Sequence, residues 1–252
     1  MVEGLALFGQ QFAGFTDQYV LIGGAACTLA MQDVGVDFRA TKDLDIVLCV
    51  EALTPEFVNA FWQFVQAGGY EIQEKSTGEK QFYRFRKPAT DGYPFMLELF
   101  SREPDALTIA EGSQLTPIPV EEAVASLSAI LLDADYYTWL QSGRRVVTGV
   151  PIVGAEHLIP LKAKAWIDLT DRKLDGQTVD SKDIKKHRND VFRLYAIVDP
   201  DFSGDVPEQV KNDLREFLER VQWEQVDMKQ MGLASQTMED VLPELRRIYR
   251  LE

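Results

Sequence analysis

The chain has 252 residues, 46% of them hydrophobic and 26% charged, with a formal net charge of −14. This is the composition of an ordinary soluble protein with enough apolar residues for a core, and no apolar run approaches the about 20 residues that span a bilayer. The acidity argues against broad, sequence-independent nucleic-acid binding, which rests on basic surface, while leaving room for a local basic cleft.

The opening Met-Val-Glu-Gly lacks the basic start and apolar block of a signal peptide. Cys27 and Cys49 both lie inside apolar elements and read as reduced thiols of a cytoplasmic protein, not as a disulfide framework. Two cysteines and two histidines (His157 and His187), far apart in the chain, make a zinc site improbable.

Taken in order, Leu5, Phe8, Phe12 and Phe15 recur at helical spacing and predict an amphipathic helix over 2–15. A short apolar strand is expected over 19–22, then Gly23-Gly24, then a helix over 24–33. A second strand spans 43–50. Thr54 is a good N-cap and Pro55 suits a first helical position, so a helix is expected from there to about Gln66, closed by Gly68-Gly69. Strands are expected at 70–75, 81–86 and 95–100, separated by turns carrying Gly78 and the run Pro88 to Gly92. Residues 101–118 read as loop, 119–141 as helix, and 144–153 as a hairpin around Thr148-Gly149. From about 155 the strand pattern gives way to helices, at 155–169, from Ser181 onward, at 205–221 and at 236–251. The expected fold class is α+β: a mixed sheet flanked by helices over 1–154, followed by a helical region over 155–252.

Three places carry candidate chemistry. The first is Asp43-Leu44-Asp45, where alternation along a strand puts both carboxylates on one face and Leu44, Ile46 and Leu48 on the other. Such a pair repels itself unless a cation lies between, and magnesium takes one or two carboxylates together with substrate phosphates. An acidic strand end facing solvent is the simpler alternative. The second is Gly23-Gly24, between strand and helix, where backbone amides can approach a phosphate closely; a tight turn without a ligand is the alternative. The third is Glu98, the one charge in an apolar strand, which must be paired, metal-bound or exposed at an edge.

Gly23-Gly24 followed by Arg39-x-Thr41-x-Asp43-x-Asp45 resembles the polymerase-β-type nucleotidyltransferase superfamily, and most nearly the AbiEii-like nucleotidyltransferases, whose known members include toxins of abortive-infection systems. The resemblance implies a nucleotidyltransferase-type sheet and magnesium-dependent transfer of an NMP from an NTP. Asp43, Asp45 and Glu98 would be the metal and catalytic carboxylates, although the family often has Asp at the third position. Gly23 and Gly24 would hold phosphate, Thr41 would order the strand entrance or touch phosphate, and Arg39 would pair with an aspartate or phosphate. Lys162, on a helical stripe with Ile159, Trp166 and Leu169, would meet the triphosphate; a snorkelling lysine at the core edge is the alternative. Lys182 and Asp183 match a Lys-Asp pair that opens the family's next helix, with Asp183 orienting the acceptor or Lys162. Lys182, Lys185, Lys186 and Arg188 form the most basic run of the chain, which elsewhere is usually a solvated face. The resemblance leaves three functions open: transfer to RNA, tRNA ends above all, as a toxin with a cognate antitoxin; transfer to a small molecule or protein; or an NTP-binding module without catalysis.

Overall fold

A computed structural model describes residues 2–74, 82–100, 116–117 and 133–251. The chain divides into two compact units, one comprising Met1–Val120 with Arg144–Val153 and the other Glu121–Gly143 with Gly154–Glu252. The fold class is α+β, a mixed sheet with helices in the first unit and a helical second unit.

Among the described residues, the first unit holds an eight-stranded sheet. Its strands are β1 (Tyr19–Ile22), β2 (Asp43–Leu48), β3 (Glu71–Glu74), β4 (Phe82–Arg86), β5 (Met96–Phe100), β6 (Thr116–Pro117), β7 (Arg144–Val147) and β8 (Val150–Val153), in the spatial order β6-β3-β4-β5-β2-β1-β8-β7. β2 runs antiparallel to β1 and parallel to β5, so the strand bearing the aspartates is an interior one. Its helices are α1 (Leu5–Gln11), α2 (Gly23–Asp33) and α3 (Pro55–Gly68).

Alternation along the strands separates two faces of this sheet. One face is aromatic. Tyr19 of β1 meets Phe8 of α1, Phe12, and Phe57 of α3, and Phe85 of β4 meets Phe61 and Trp62 of α3, with ring centroids 5.4 to 6.2 Å apart. Each fully buried ring of this kind contributes about 1.5–3 kcal/mol by leaving water. Phe12 falls just beyond α1, and Phe15 ends a 3₁₀ turn over Ala13–Phe15, so the expected 2–15 helix is broken into two pieces. The other face carries Ile22, Asp45, Glu98 and Arg84, which are aligned in register across β1, β2, β5 and β4.

Local signals behave as the sequence leads one to expect at α3: the Thr54 side chain accepts from Phe57 N, Pro55 occupies the first turn, and Gly69 closes the helix at φ 63. Residues 116–117, expected as loop, pair with β3 as β6. The first part of the helix expected over 119–141 lies outside the described residues. Its described part starts at Ala134, with the Asp133 carboxylate capping the amides of Asp135 and Tyr136.

The second unit contains α4 (Ala134–Ser142), α5 (Ala155–Leu174), α6 (Ser181–Tyr195), α7 (Glu208–Val221) and α8 (Met238–Ile248). Buried polar groups tie these helices together. Asp213 of α7 accepts from the Tyr136 hydroxyl of α4 at 2.9 Å and from Lys164 of α5 at 2.8 Å. His157 of α5 stacks on Trp139 of α4 at 4.0 Å, with the Phe202 ring edge-on at 5.5 Å. Among the described residues, no helix is long and apolar enough to cross a membrane.

Asp213→Ala leaves the buried Tyr136 hydroxyl and the Lys164 ammonium without their acceptor, and is expected to cost about 2–3 kcal/mol in urea denaturation. Burial pushes the His157 imidazole down from 6.5 to about 4. The unfolded chain therefore takes up this proton first, so the stability contributed by neutral His157 is whole above its unfolded value and drains away as pH falls toward about 4. Between pH 7 and pH 5 the loss is about 2 kcal/mol, and His157→Phe should flatten the measured decline by that amount.

Candidate active site

The corner between β1 and α2 is shaped by a close approach. Gly23 sits at φ 62, and a Cβ built on it would stand 1.6 Å from Asp45 Oδ2. Any side chain at position 23 would thus displace the Asp45 carboxylate, and the left-handed backbone there also disfavours one. A Cβ on Gly24 would stand 2.6 Å from Thr41 Oγ1, so Thr41 closes over the next residue of the same corner. The N-cap of α2 is Ile22, whose side chain has no acceptor to offer the first amides. Asp45 lies at this amide-rich end, where a negative charge is favoured.

Asp43 and Asp45 are both half-buried and share a face of β2, while Leu44 and Ile46 point into the core. Across the parallel pairing, Asp45 stands opposite Glu98 and Asp43 opposite Met96. Glu98 does not face water at an edge. β5 is interior, Glu98 is 7% exposed, and its Oε1 accepts from Arg84 Nε at 2.8 Å and Nη2 at 2.7 Å. Burial holds the Glu98 carboxyl well above the usual carboxylate range; the Asp45 charge and a hydrogen bond between the two carboxyl groups add to this, and Arg84 opposes it.

Arg39 is half-buried, with its guanidinium 5.1 Å from the Phe38 ring centroid. The remaining expected site residues belong to the second unit. Lys162 does interrupt the apolar stripe of α5, and it is buried there: it is 5% exposed, with Nζ 3.6 Å from the fully buried Asp190 carboxylate, which Arg193 also approaches at 3.3 Å. Lys182 is exposed and Asp183 half-buried in the first turn of α6. That helix is capped by Asp180, whose carboxylate accepts from Lys182 N. Of the basic run, Lys185 and Lys186 are exposed, whereas Arg188 is buried against Glu224 at 2.5 Å. Arg84 and Asp190 escaped sequence reasoning. The only signal for either was an unexplained opposite charge, Glu98 in one case and Lys162 in the other.

The donor set around the corner fits a hard divalent cation: Asp43 and Asp45 offer oxygen only, and the glycine corner keeps clear the space the Asp45 carboxylate fills. Among the described residues, no group of three or more His, Cys, Asp or Glu side chains is arranged as a metal cluster. A cavity of about 700 Å³ in the first unit is lined by Val2, Leu5, Leu29, Asp33 and Val150 among others and includes none of these residues.

No protein-family model and no curated protein matches the chain. Among solved structures, an antigenic nucleotidyltransferase-like protein from Paracoccidioides brasiliensis is 15% identical over 94% of this chain and 94% of its own, with a TM-score of 0.44. JHP933 from Helicobacter pylori is 15% identical over 98% of this chain and 88% of its own, with a TM-score of 0.35.

The Gly23 corner is testable by a pair of variants. Gly35 has φ 77 with open space around it, so Gly35→Ala isolates the backbone cost, about 1–2 kcal/mol. Gly23→Ala should cost clearly more in urea denaturation, because its methyl group overlaps the Asp45 carboxylate. Equal losses would mean that the close approach is not real.

Proposed function

We propose that the chain is a magnesium-dependent nucleotidyltransferase of the polymerase-β type, with an AbiEii-like arrangement, moving an NMP from an NTP to an acceptor. The observation that carries this reading is the seat of the Asp45 carboxylate against Gly23 at the start of α2, with Asp43 on the same face and Glu98 alongside. One corner then offers both amides suited to phosphate and the carboxylates suited to the metal that travels with it.

In this reading Asp43 and Asp45 hold the metal, and Glu98 is the third carboxylate of the set. When bound, the metal supplies charge stabilisation to the attacking and leaving oxygens of an in-line displacement. The chain's own part is placement. Backbone amides at Gly23 and Gly24 receive phosphate, Thr41 packs over Gly24 and keeps that backbone in place, and Arg39 is proposed to meet the phosphate tail. Lys162 would first have to give up Asp190 to reach a triphosphate, so the reading does not draw on it. Lys182 and Asp183, on the open first turn of α6, are proposed as outer contacts to substrate or acceptor.

For the acceptor we propose a tRNA end, supported by the exposed Lys182, Lys185 and Lys186 in an otherwise acidic chain. The net charge of −14 favours a small-molecule or protein acceptor as the competing reading. Incubation with labelled NTPs, magnesium and total RNA separates them: label in RNA supports the first, and label in a small molecule or protein the second. Binding without transfer to any of these contradicts the catalytic proposal. Asp43→Asn with Asp45→Asn is expected to abolish both turnover and the metal-dependent part of NTP binding in calorimetry. Unchanged binding and turnover in that variant would overturn the site.

A further inference from the structure

Two ion pairs fix how α5 and α7 lie together in the second unit. Lys164 Nζ meets Asp213 at 2.8 Å and Arg220 meets Asp171 at 2.5 Å, and each pair is 49 residues apart in the chain. The same offset at two points along both helices means that they run parallel in a fixed register. Between the pairs the seam is closed, with Trp166 edge-on to Phe217 at 5.3 Å and both rings buried. That register also sets Leu174 level with Trp223. Each follows its ion-paired neighbour by one helical turn, so both continue the stripe along which the helices meet. Leu174 ends α5, and the Trp223 amide donates to the Arg220 carbonyl just past α7. Yet Leu174 is 78% and Trp223 83% exposed, the highest values of any large apolar side chain among the described residues.

A single exposed apolar side chain needs no explanation, but two set level at the open end of a packed seam form a surface. Cations border it. Lys173, next to Leu174, bonds the Ser181 hydroxyl at the start of α6. Ser181, Lys185 and Arg188 share one stripe of α6, and Arg188 reaches Glu224, next to Trp223, at 2.5 Å. Lys185 therefore lies between these two contacts, with Lys182 and Lys186 beside it, all three exposed and without a carboxylate partner among the described residues. The nearby acids Asp171 and Glu224 are taken up by Arg220 and Arg188. Protein interfaces favour Trp but are poor in Lys. An exposed ring bordered by ammonium groups is instead what single-stranded nucleic acid uses, its bases stacking on the ring and its phosphates meeting the charges. We infer that this end of the second unit binds a single-stranded RNA end, one base stacking on Trp223 beside Leu174 while Lys173, Lys182 and Lys185 meet phosphates. The choice of RNA rests on the acceptor reading above; the surface itself, through Trp223 and Leu174, is new to it.

The test is fluorescence anisotropy of a fluorescein-labelled single-stranded RNA of about ten nucleotides, titrated with the full-length chain. Trp223→Ala should bind it about tenfold more weakly with an unchanged melting temperature, since the side chain is exposed. Trp223→Phe keeps a ring and should stay within about threefold of wild type, whereas Trp223→Leu keeps apolar area without a ring and should fall as far as alanine does. Lys185→Gln should weaken binding and flatten its dependence on salt. A blunt duplex of the same sequence, whose bases are already stacked, should compete poorly.

Three results would overturn the inference: Trp223→Ala binding the RNA as wild type does, Trp223→Leu matching wild type, or a dimer in sedimentation that Trp223→Ala dissolves, which would assign the surface to a second copy of the chain. The Asp43→Asn, Asp45→Asn double variant tells this failure from failure of the acceptor reading, because it should bind the RNA as wild type does. Ring-dependent RNA binding without label transfer to RNA would uphold the surface and refute the acceptor reading. Transfer to RNA that survives Trp223→Ala, with unchanged RNA affinity, would do the reverse.

Discussion

The contact between the Asp45 carboxylate and the backbone at Gly23 constrains more of the first unit than any other. A side chain at position 23 would require that carboxylate to move, because the built Cβ and Asp45 Oδ2 would nearly coincide. The glycine fixes how closely β2 passes the start of α2. The antiparallel pairing of Ile22 with Asp45 sets the same spacing from the strand side. Because the strands alternate faces, this single register also decides that Glu98 and Arg84 join the same row. A slip of one residue would turn the whole acidic row into the aromatic layer.

That division of labour explains why an expensive group is tolerated at the middle of the sheet. A buried carboxylate is costly by itself. Here Glu98 has the Arg84 guanidinium on one side and stands opposite Asp45 in the parallel pairing on the other. The opposite face meanwhile supplies burial through Phe57, Phe61 and Phe85, all with no exposure. The second unit solves its own version of the problem, with Asp190 and Asp213 buried against Lys162 and Lys164. In both units the buried charges are paired, as the cost of desolvation demands.

Much of this was legible in the chain itself. The strand over 19–22, the Asp-x-Asp strand, the capped helix at Thr54-Pro55 and the Thr148-Gly149 hairpin all carry local signals, since caps, turns and period-two alternation act over a few residues. What the chain could not reveal were pairings between distant segments. Glu98 was readable as anomalous, but its partner is 14 residues earlier on a strand whose own pattern gave Arg84 no special place. Lys162 was readable as an interruption of an apolar stripe, but whether it faced a ligand or an internal acid depended on Asp190, one turn-rich segment and a helix later. The 3₁₀ break after α1 and the short β6 also depend on tertiary packing, which outweighs weak local preference.

The account therefore centres on a claim about place: that a divalent cation with an NTP sits where β2 meets the start of α2. Anomalous scattering from crystals grown with Mn²⁺ and a non-hydrolysable NTP analogue tests it most directly. The account predicts a manganese peak within coordination distance of both Asp43 and Asp45, with phosphate against the amides of Gly23 and Gly24. Manganese and nucleotide bound away from that corner, with the two aspartates bare, would contradict it.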